Sequence, residues 1–425
     1  MAKDMARPAP VFAGRFASNP DFDFAVRGTL GGVAGGGADA GEVLAAVGDV
    51  KAKDHDGWFA AWKGLGDRTR AAGDEAAASG HAVTASGAYL RAANYLGRAV
   101  SAVAGLVDAA ELLPTFRSHR DAWERFTETT AAQVERVDVP YEGTTLPGWF
   151  FRAPAADPAR PGPVLVVNLG SDESISAAWT NVGPDALARG MHVFVFDGPG
   201  QQSMLFEHDV PFRPDWEAVL TPVVDVLVGR DDVDPDALLV WGVSQAGYWV
   251  PRALATEHRF AAAVADPGVV DVSTSWERHV PSSLLKLLDH GEREKFDRDM
   301  ALGFKLSPET AREWRFRARP YGGTGYADVL EKVRDYRLDA DLGAAVRTPL
   351  LVTAPDHEQF WPGQSDALVQ LTADVSTLMP FTAAEGADVH CEPLAHHVRN
   401  GRVFDWLEDR LRAVNPAAQT AARAV

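Results

Sequence analysis

"VWGVSQAGYWV", Val240 to Val250, sets one serine between small residues, with an apolar run before it and a helix-like run after it. A hydroxyl at so tight a corner has a chemical use. In a Gly-x-Ser-x-Gly turn from strand to helix, small flanking residues let the backbone fold sharply, and the Ser oxygen projects alone above the sheet. Gly242, Ser244, Ala246 and Gly247 fill that pattern here, with alanine in place of its last glycine. Glycine-rich turns containing serine are common. The reading therefore depends on the strands around this turn and on partners for the serine.

The strands come from short apolar runs. Beyond about Val134, "VERVDVPYEG" and "LPGWFFRAP" read as a leading antiparallel pair. "PVLVVNLG", "HVFVFDGPG", "ALLVWGVSQ", "AAAVADPG" and "PLLVTAPD" follow, separated by amphipathic stretches. Continuous apolar runs of this kind are what a parallel sheet covered on both faces requires. The spacing after the sixth strand is far longer than a crossover needs, which predicts a helical insertion over about 270–325. Upstream, "GAYLRAANYLGRAVSAV" repeats its apolar residues at helical spacing, and Trp58 and Trp62 lie one turn apart. Residues 1–133 are expected to form a helical, cap-like domain, 134–415 the sheet-bearing domain, and 416–425 a flexible tail. "GGVAGGGADAG" has neither a preceding strand nor a Lys-Ser/Thr, so it reads as a flexible turn rather than a phosphate loop.

Composition limits the functional classes. A chain of 425 residues suggests a sizeable core plus an accessory domain. A formal charge of −18, with no cluster of Lys and Arg to hold a phosphate backbone, argues against nucleic acid. One cysteine, Cys391, excludes an intrachain disulfide. No apolar stretch long enough to span a bilayer appears, so the expected setting is cytoplasmic, away from membranes. A homodimer is left open.

The serine needs a base, and the base needs an orienting carboxylate. In a sheet of this kind they follow in the order Ser, acid, His, on loops at the carboxyl ends of strands. "APDHEQFWPG" offers Glu358, with Asp356 as the alternative acid, and "EGADVHCEPL" offers His390. His396 and His397, beside the closing helix, are expected to be solvated. A metal site from His357, Glu358 and His390 has no regular ligand spacing behind it, so no metal or cofactor is expected. The oxyanion formed on attack needs two amide donors: the backbone N–H of Gln245 and one from "LGSDES", Ser171 or alternatively Asp172. Glu173, next in that loop, is placed either to meet the substrate or, like Asp172, to cap the following helix. Trp179, Trp249, Trp276 and Trp361 are candidates for an aromatic pocket.

Together "GSDES", "FDGPGQ", "RPDWEAVLTPVVD", "GVSQAGYWVPRALA" and "EGADVHCE", preceded by "YLRAANYL", resemble the α/β-hydrolase family of 2,6-dihydroxypseudooxynicotine hydrolase. That family also holds fungal hydrolases that shorten polyketide chains and the fermentation-respiration switch proteins. The resemblance spans roughly residues 50 to 412. It implies an α/β-hydrolase fold with a triad of Ser244, Glu358 and His390, where relatives usually carry Asp as the acid. It implies a small acyl or polyketide-like substrate, with cleavage of a C–C bond next to a ketone in some members. It also implies that an acidic residue at the place of Glu173 handles the substrate. Ala246 and Gln202, where "DGPGQG" would be usual, depart from the family pattern. An esterase or amidase uses the same residues, and a non-hydrolytic acyl cyclase or binding module is the alternative of another class.

Overall fold

The computed structural model describes residues 15–154 and 160–414; residues 1–14 of the expected helical domain and the expected tail lie outside them. Among the described residues, five α-helices precede the sheet: α1 (Pro20–Gly31), α2 (Ala40–Val47), α3 (His55–Ala78), α4 (Ala82–Ala102) and α5 (Leu112–Thr129). Sequence chemistry fixes several of their starts. Asn19 accepts from the N–H groups of Asp21 and Phe22, and Asp39 and Asp54 cap α2 and α3 in the same way. Each such cap satisfies donors that a helix start leaves open and contributes about 1 kcal/mol. Helix α4 is apolar on nearly every side and is buried accordingly, with Tyr89, Leu90, Tyr95, Leu96 and Val100 all in the interior.

The sheet has eight strands: β1 (Gln133–Tyr141), β2 (Thr144–Arg152), β3 (Gly162–Asn168), β4 (His192–Phe196), β5 (Val233–Val243), β6 (Ala262–Asp266), β7 (Leu350–Pro355) and β8 (Ser376–Phe381). Their order is β1-β2-β4-β3-β5-β6-β7-β8. β1, β2 and β4 pair antiparallel, and every pairing from β4 through β8 is parallel. A two-residue turn closes the β1–β2 hairpin, with Glu142 and Gly143 both at positive φ.

Alternation along the central strands divides the core in two. Val164 and Val166 of β3 and Leu238 and Val240 of β5 pack on one face, under α8 (Glu217–Val228) and α9 (Ala246–Leu254). Leu165, Val167, Leu239 and Trp241 point to the other face, under α4, α5, α6 (Ile175–Ala188) and α17 (His396–Val414). Every residue of β4 and β6 is buried. With about 1.5–3 kcal/mol for each large aliphatic side chain removed from water, these strands are the main source of stability. The helices before β1 are thus tied into the sheet's own core: Trp123 and Phe126 of α5 pack with Trp149, Phe151 and Trp179.

Between β6 and β7 the chain runs through α10 (Thr274–Glu277), α11 (Ser282–Asp289), α12 (Arg293–Leu306), α13 (Pro308–Ala318), α14 (Tyr326–Arg334) and α15 (Ala340–Ala345). The remaining helices are α7 (Gln202–Phe206), after β4, and α16 (Gln364–Leu371), after β7. The glycine-rich turn at 31–41 is not loose. Asn94 donates from Nδ2 to the Gly37 carbonyl at 2.9 Å and to Thr180 Oγ1 at 3.0 Å, so α4 and α6 clamp it. Among the described residues no helix is long and apolar enough to cross a membrane.

Candidate active site

Ser244 sits between the end of β5 and the start of α9 with φ at 57°, the left-handed conformation of a sharp strand-to-helix turn. Its N–H donates to the Asp266 carbonyl at 2.6 Å, anchoring the turn to the end of the neighbouring strand. Gly247 is required there: a Cβ on it would lie 1.8 Å from the Pro267 carbonyl oxygen. Position 246, where the motif usually has glycine, holds a fully buried Ala246.

The partners converge from two other strand ends. His390, on the loop after β8, places Nε2 2.8 Å from Ser244 Oγ. Glu358, on the loop after β7, places its carboxylate oxygens 2.9 and 3.0 Å from His390 Nδ1. Glu358 Oε1 also accepts from the N–H groups of Phe360 and Trp361, and Gln359 Oε1 accepts from the His390 N–H. Asp356 is exposed instead. Burial works against charge on both partners, yet each favours the other's ionised form. His390 is held above the usual histidine range by Glu358, and Glu358 below the usual carboxylate range by His390.

The loop after β3 passes directly behind the serine. A Cβ on Gly170 would lie 2.9 Å from Ser244 Cβ, so only glycine permits the approach. Gln201, from the "DGPGQ" segment, fixes this loop by donating from Nε2 to the carbonyls of Leu169 and Gly170 at 2.8 and 3.0 Å. Gln245 precedes α9, whose first N–H groups have no acceptor inside the helix, and its side chain is held by the Tyr321 hydroxyl, which donates to Oε1 at 3.0 Å. Ser171 and Asp172 line the same cavity as Ser244 and Gln245. Nothing local in the sequence marks Gln201 or Tyr321 as supports of the site, because each acts on a residue far away along the chain.

The cavity above Ser244 has a volume of about 490 Å³. Trp276 and Trp361 line it, with Phe24 of α1, Arg98 of α4 and Phe316 of α13 among the other walls. Phe24 reaches within 6.4 Å of the His390 ring, so α1 closes over the candidate triad. Trp179 and Trp249 do not line the cavity. Trp179 packs on Phe126 and Phe151, and Trp249 is fully buried and stacks on Trp216 at 4.3 Å. Their positions along α6 and α9 turn them toward the core. His396 is another correction: it is buried against α1 and lines the cavity, and burial lowers its pKa well below the usual range. His397 is exposed.

Glu173 and Asp172 do not cap α6. Ser174 does, accepting from the Ala177 N–H at 3.3 Å. Glu173 instead faces the cavity, accepting from Asn181 Nδ2 at 3.1 Å through one oxygen while the other has no partner among the described residues. Burial pushes its pKa up to about 7, against the pull of Arg98 and Arg399. Gln202, at φ 40°, donates to the Glu173 carbonyl at 3.1 Å. Among the described residues no three His, Cys, Asp or Glu side chains are grouped to hold a metal ion, and His357 pairs with Asp388 at 2.6 Å.

A mostly parallel sheet with a serine elbow after β5, and with a carboxylate and a histidine on later strand ends, is the arrangement of the α/β hydrolases. The chain belongs to that family and is a hydrolase: it is 32% identical over 355 residues to "Alpha/beta hydrolase psoB" of Aspergillus fumigatus, covering 79% of each chain. It is similar to the "20-hydroxy-prefusarin hydrolase FUS2" of Gibberella moniliformis, 28% identical over 418 residues, with 94% of this chain and 97% of that protein covered. The model of the prolyl oligopeptidase family matches residues 186–298. Among solved structures, the 2,6-dihydroxy-pseudo-oxynicotine hydrolase shares the fold with a TM-score of 0.68 at 20% identity, covering 90% of this chain and 96% of that one.

Proposed function

We propose that the chain is a serine hydrolase that attacks an acyl carbonyl of a small or polyketide-like metabolite and cleaves the C–C bond next to it. The observation that carries this reading is the continuous hydrogen-bond chain Ser244–His390–Glu358 at the floor of an aromatic-walled cavity. Ser244 Oγ attacks the carbonyl carbon while His390 Nε2 takes its proton, and Glu358 holds the imidazole in the required tautomer and stabilises the imidazolium. The tetrahedral oxyanion is received by the N–H of Gln245 and that of Ser171. Collapse breaks the C–C bond, the departing carbon takes a proton from Glu173 and leaves as a ketone, and the proton that His390 took from Ser244 passes to the Glu173 carboxylate, which leaves His390 neutral. Water, deprotonated by His390, then frees the acyl group from Ser244.

Glu173 supports the C–C version. A carboxyl with a pKa of about 7 at the cavity wall holds a proton near neutral pH and can give it to the departing carbon. A similar protein carries the name 20-hydroxy-prefusarin hydrolase, which is in keeping with a small-metabolite substrate. In this reading the helices before β1 and the insertion after β6 act as the cap that keeps water from the reacting carbonyl.

Mass spectrometry of products from a panel of aryl β-diketones and plain aryl esters tests the proposal. Cleavage of a diketone to an acid and a ketone is expected. Ester turnover without diketone cleavage would replace it with an esterase.

A further inference from the structure

Arginines on the cavity wall differ in how their charge is met. Arg317 pairs with Glu313 at 3.2 Å, and Arg319 has Asp209 at 3.8 Å. Arg98 has no ion-pair partner among the described residues. Its Nε donates to Thr29 Oγ1 at 3.0 Å, which fixes the plane of the guanidinium, and its terminal nitrogens are left with no acceptor among those residues. Burial lowers its pKa, and the carboxylates that act on it, Glu173 and Asp172, do so only at longer range. Arg98 is half-buried, so its guanidinium opens into the cavity with no carboxylate beside it to meet its charge.

The surroundings are built around this cation. A Cβ on Gly97 would lie 2.7 Å from Ser174 Oγ, so glycine lets α4 press against the start of α6 and brings its neighbour Arg98 to the 170–174 loop. Two further polar atoms in the same wall, Glu173 Oε2 and Gln202 Oε1, are buried with no partner. Three polar side chains from α4, the loop after β3 and α7 thus face one space with bonding capacity unused. Delocalised oxyanions are the ligands that a planar guanidinium matches best.

We infer that Arg98 is a specificity residue that binds an anionic oxygen of the substrate, a carboxylate or an enolate, within the cavity above Ser244. The inference rests on the proposed function for the nature of the turnover but concerns recognition alone. A β-dicarbonyl substrate presents such an oxygen in its enolate form. Held by Arg98, that oxygen would fix which of the two carbonyls faces Ser244.

Binding can be read without turnover, because Trp58, Trp62, Trp276 and Trp361 line the cavity and report through their fluorescence. Hydrocinnamate is compared with the uncharged hydrocinnamamide, and dimedone, an enolate at neutral pH, with dimethylcyclohexanone. In the full chain each anion is expected to bind at least about tenfold more tightly than its neutral match, roughly 1.4 kcal/mol. Arg98→Met should erase that preference, and Arg98→Lys should keep part of it, with thermal melting confirming that both variants fold. The larger of the two preferences identifies the oxygen as carboxylate or enolate. Equal affinity of anion and neutral match in the unsubstituted chain, or a preference that survives Arg98→Met, would overturn the inference. Loss of reactivity at Ser244 would count against the hydrolase mechanism and leave the anion preference readable.

Discussion

The two sides of the cavity satisfy their charges in opposite ways. At the strand ends, Ser244, His390 and Glu358 form a closed chain in which each polar atom has a partner, and the ion pair holds both pKa values toward the charged forms. On the helical side, Glu173 and Gln202 leave acceptors open in a buried wall, and the half-buried Arg98 has no carboxylate partner among the described residues. A protein leaves buried polar groups unpaired only rarely, because each one costs about 1–3 kcal/mol. The contrast teaches a division of labour in the proposed mechanism: the Ser244–His390–Glu358 chain is formed without substrate, and the open wall is where substrate would supply the missing partners.

The largest expected effect breaks the paired side. Glu358→Gln keeps volume but removes the charge that orients His390, and should lower kcat by about 10³–10⁴. Because Glu358 raises the His390 pKa, the acid limb of kcat/KM should also move to lower pH in the variant. Steady-state kinetics across pH checks both. Gln201→Ala comes next. It frees the carbonyls of Leu169 and Gly170 and loosens the loop that carries Ser171, the proposed second oxyanion donor, so kcat should fall by up to about 10² with little change in KM.

The unpaired side is sharpened by Glu173→Gln. Its carboxyl, ordinarily near 4.5, is raised to about 7, so the native chain binds the proton more tightly than the unfolded chain. Stability from that proton is present below about 4.5 and is lost as pH rises through about 7. Urea melts should therefore show Glu173→Gln close to the parent at pH about 5 and more stable by about 1–3 kcal/mol at pH about 8. The same variant should depress cleavage of a diketone strongly and spare an activated ester, whose leaving group needs no proton. The smallest effect is Asp356→Asn: an exposed change of about 0.5 kcal/mol or less, visible as turnover within about twofold of the parent.

What could be read from sequence follows from how local the signal is. The parallel strands were legible because β4 and β6 are buried on both faces and so are apolar throughout. β8 is an edge strand, half-buried and partly polar, and its run "STLMPF" is correspondingly weaker. Ser244 follows β5 directly, and Glu358 and His390 lie on the loops after β7 and β8, which ties them to recognisable texture. Trp249 and Trp179 lie near strand ends too, but the rotation of α9 and α6 turns their rings into the core, and sequence does not set that rotation. His396 lies at the start of an amphipathic helix and reads as solvated until α1, more than 360 residues earlier, covers it. Arg98, Gln201 and Tyr321 act across gaps of 31 to 76 residues. Only the fold brings them to the site.

Labelling with a fluorophosphonate probe, followed by mass spectrometry of the digested chain, tests the central claim most directly, since the probe reacts with a serine that a neighbouring imidazole has activated. A single adduct on Ser244, abolished in His390→Ala and sharply slowed in Glu358→Gln, is the predicted result. A folded chain that acquires no adduct at Ser244, or acquires it at the same rate without His390, would contradict nucleophilic catalysis at this site.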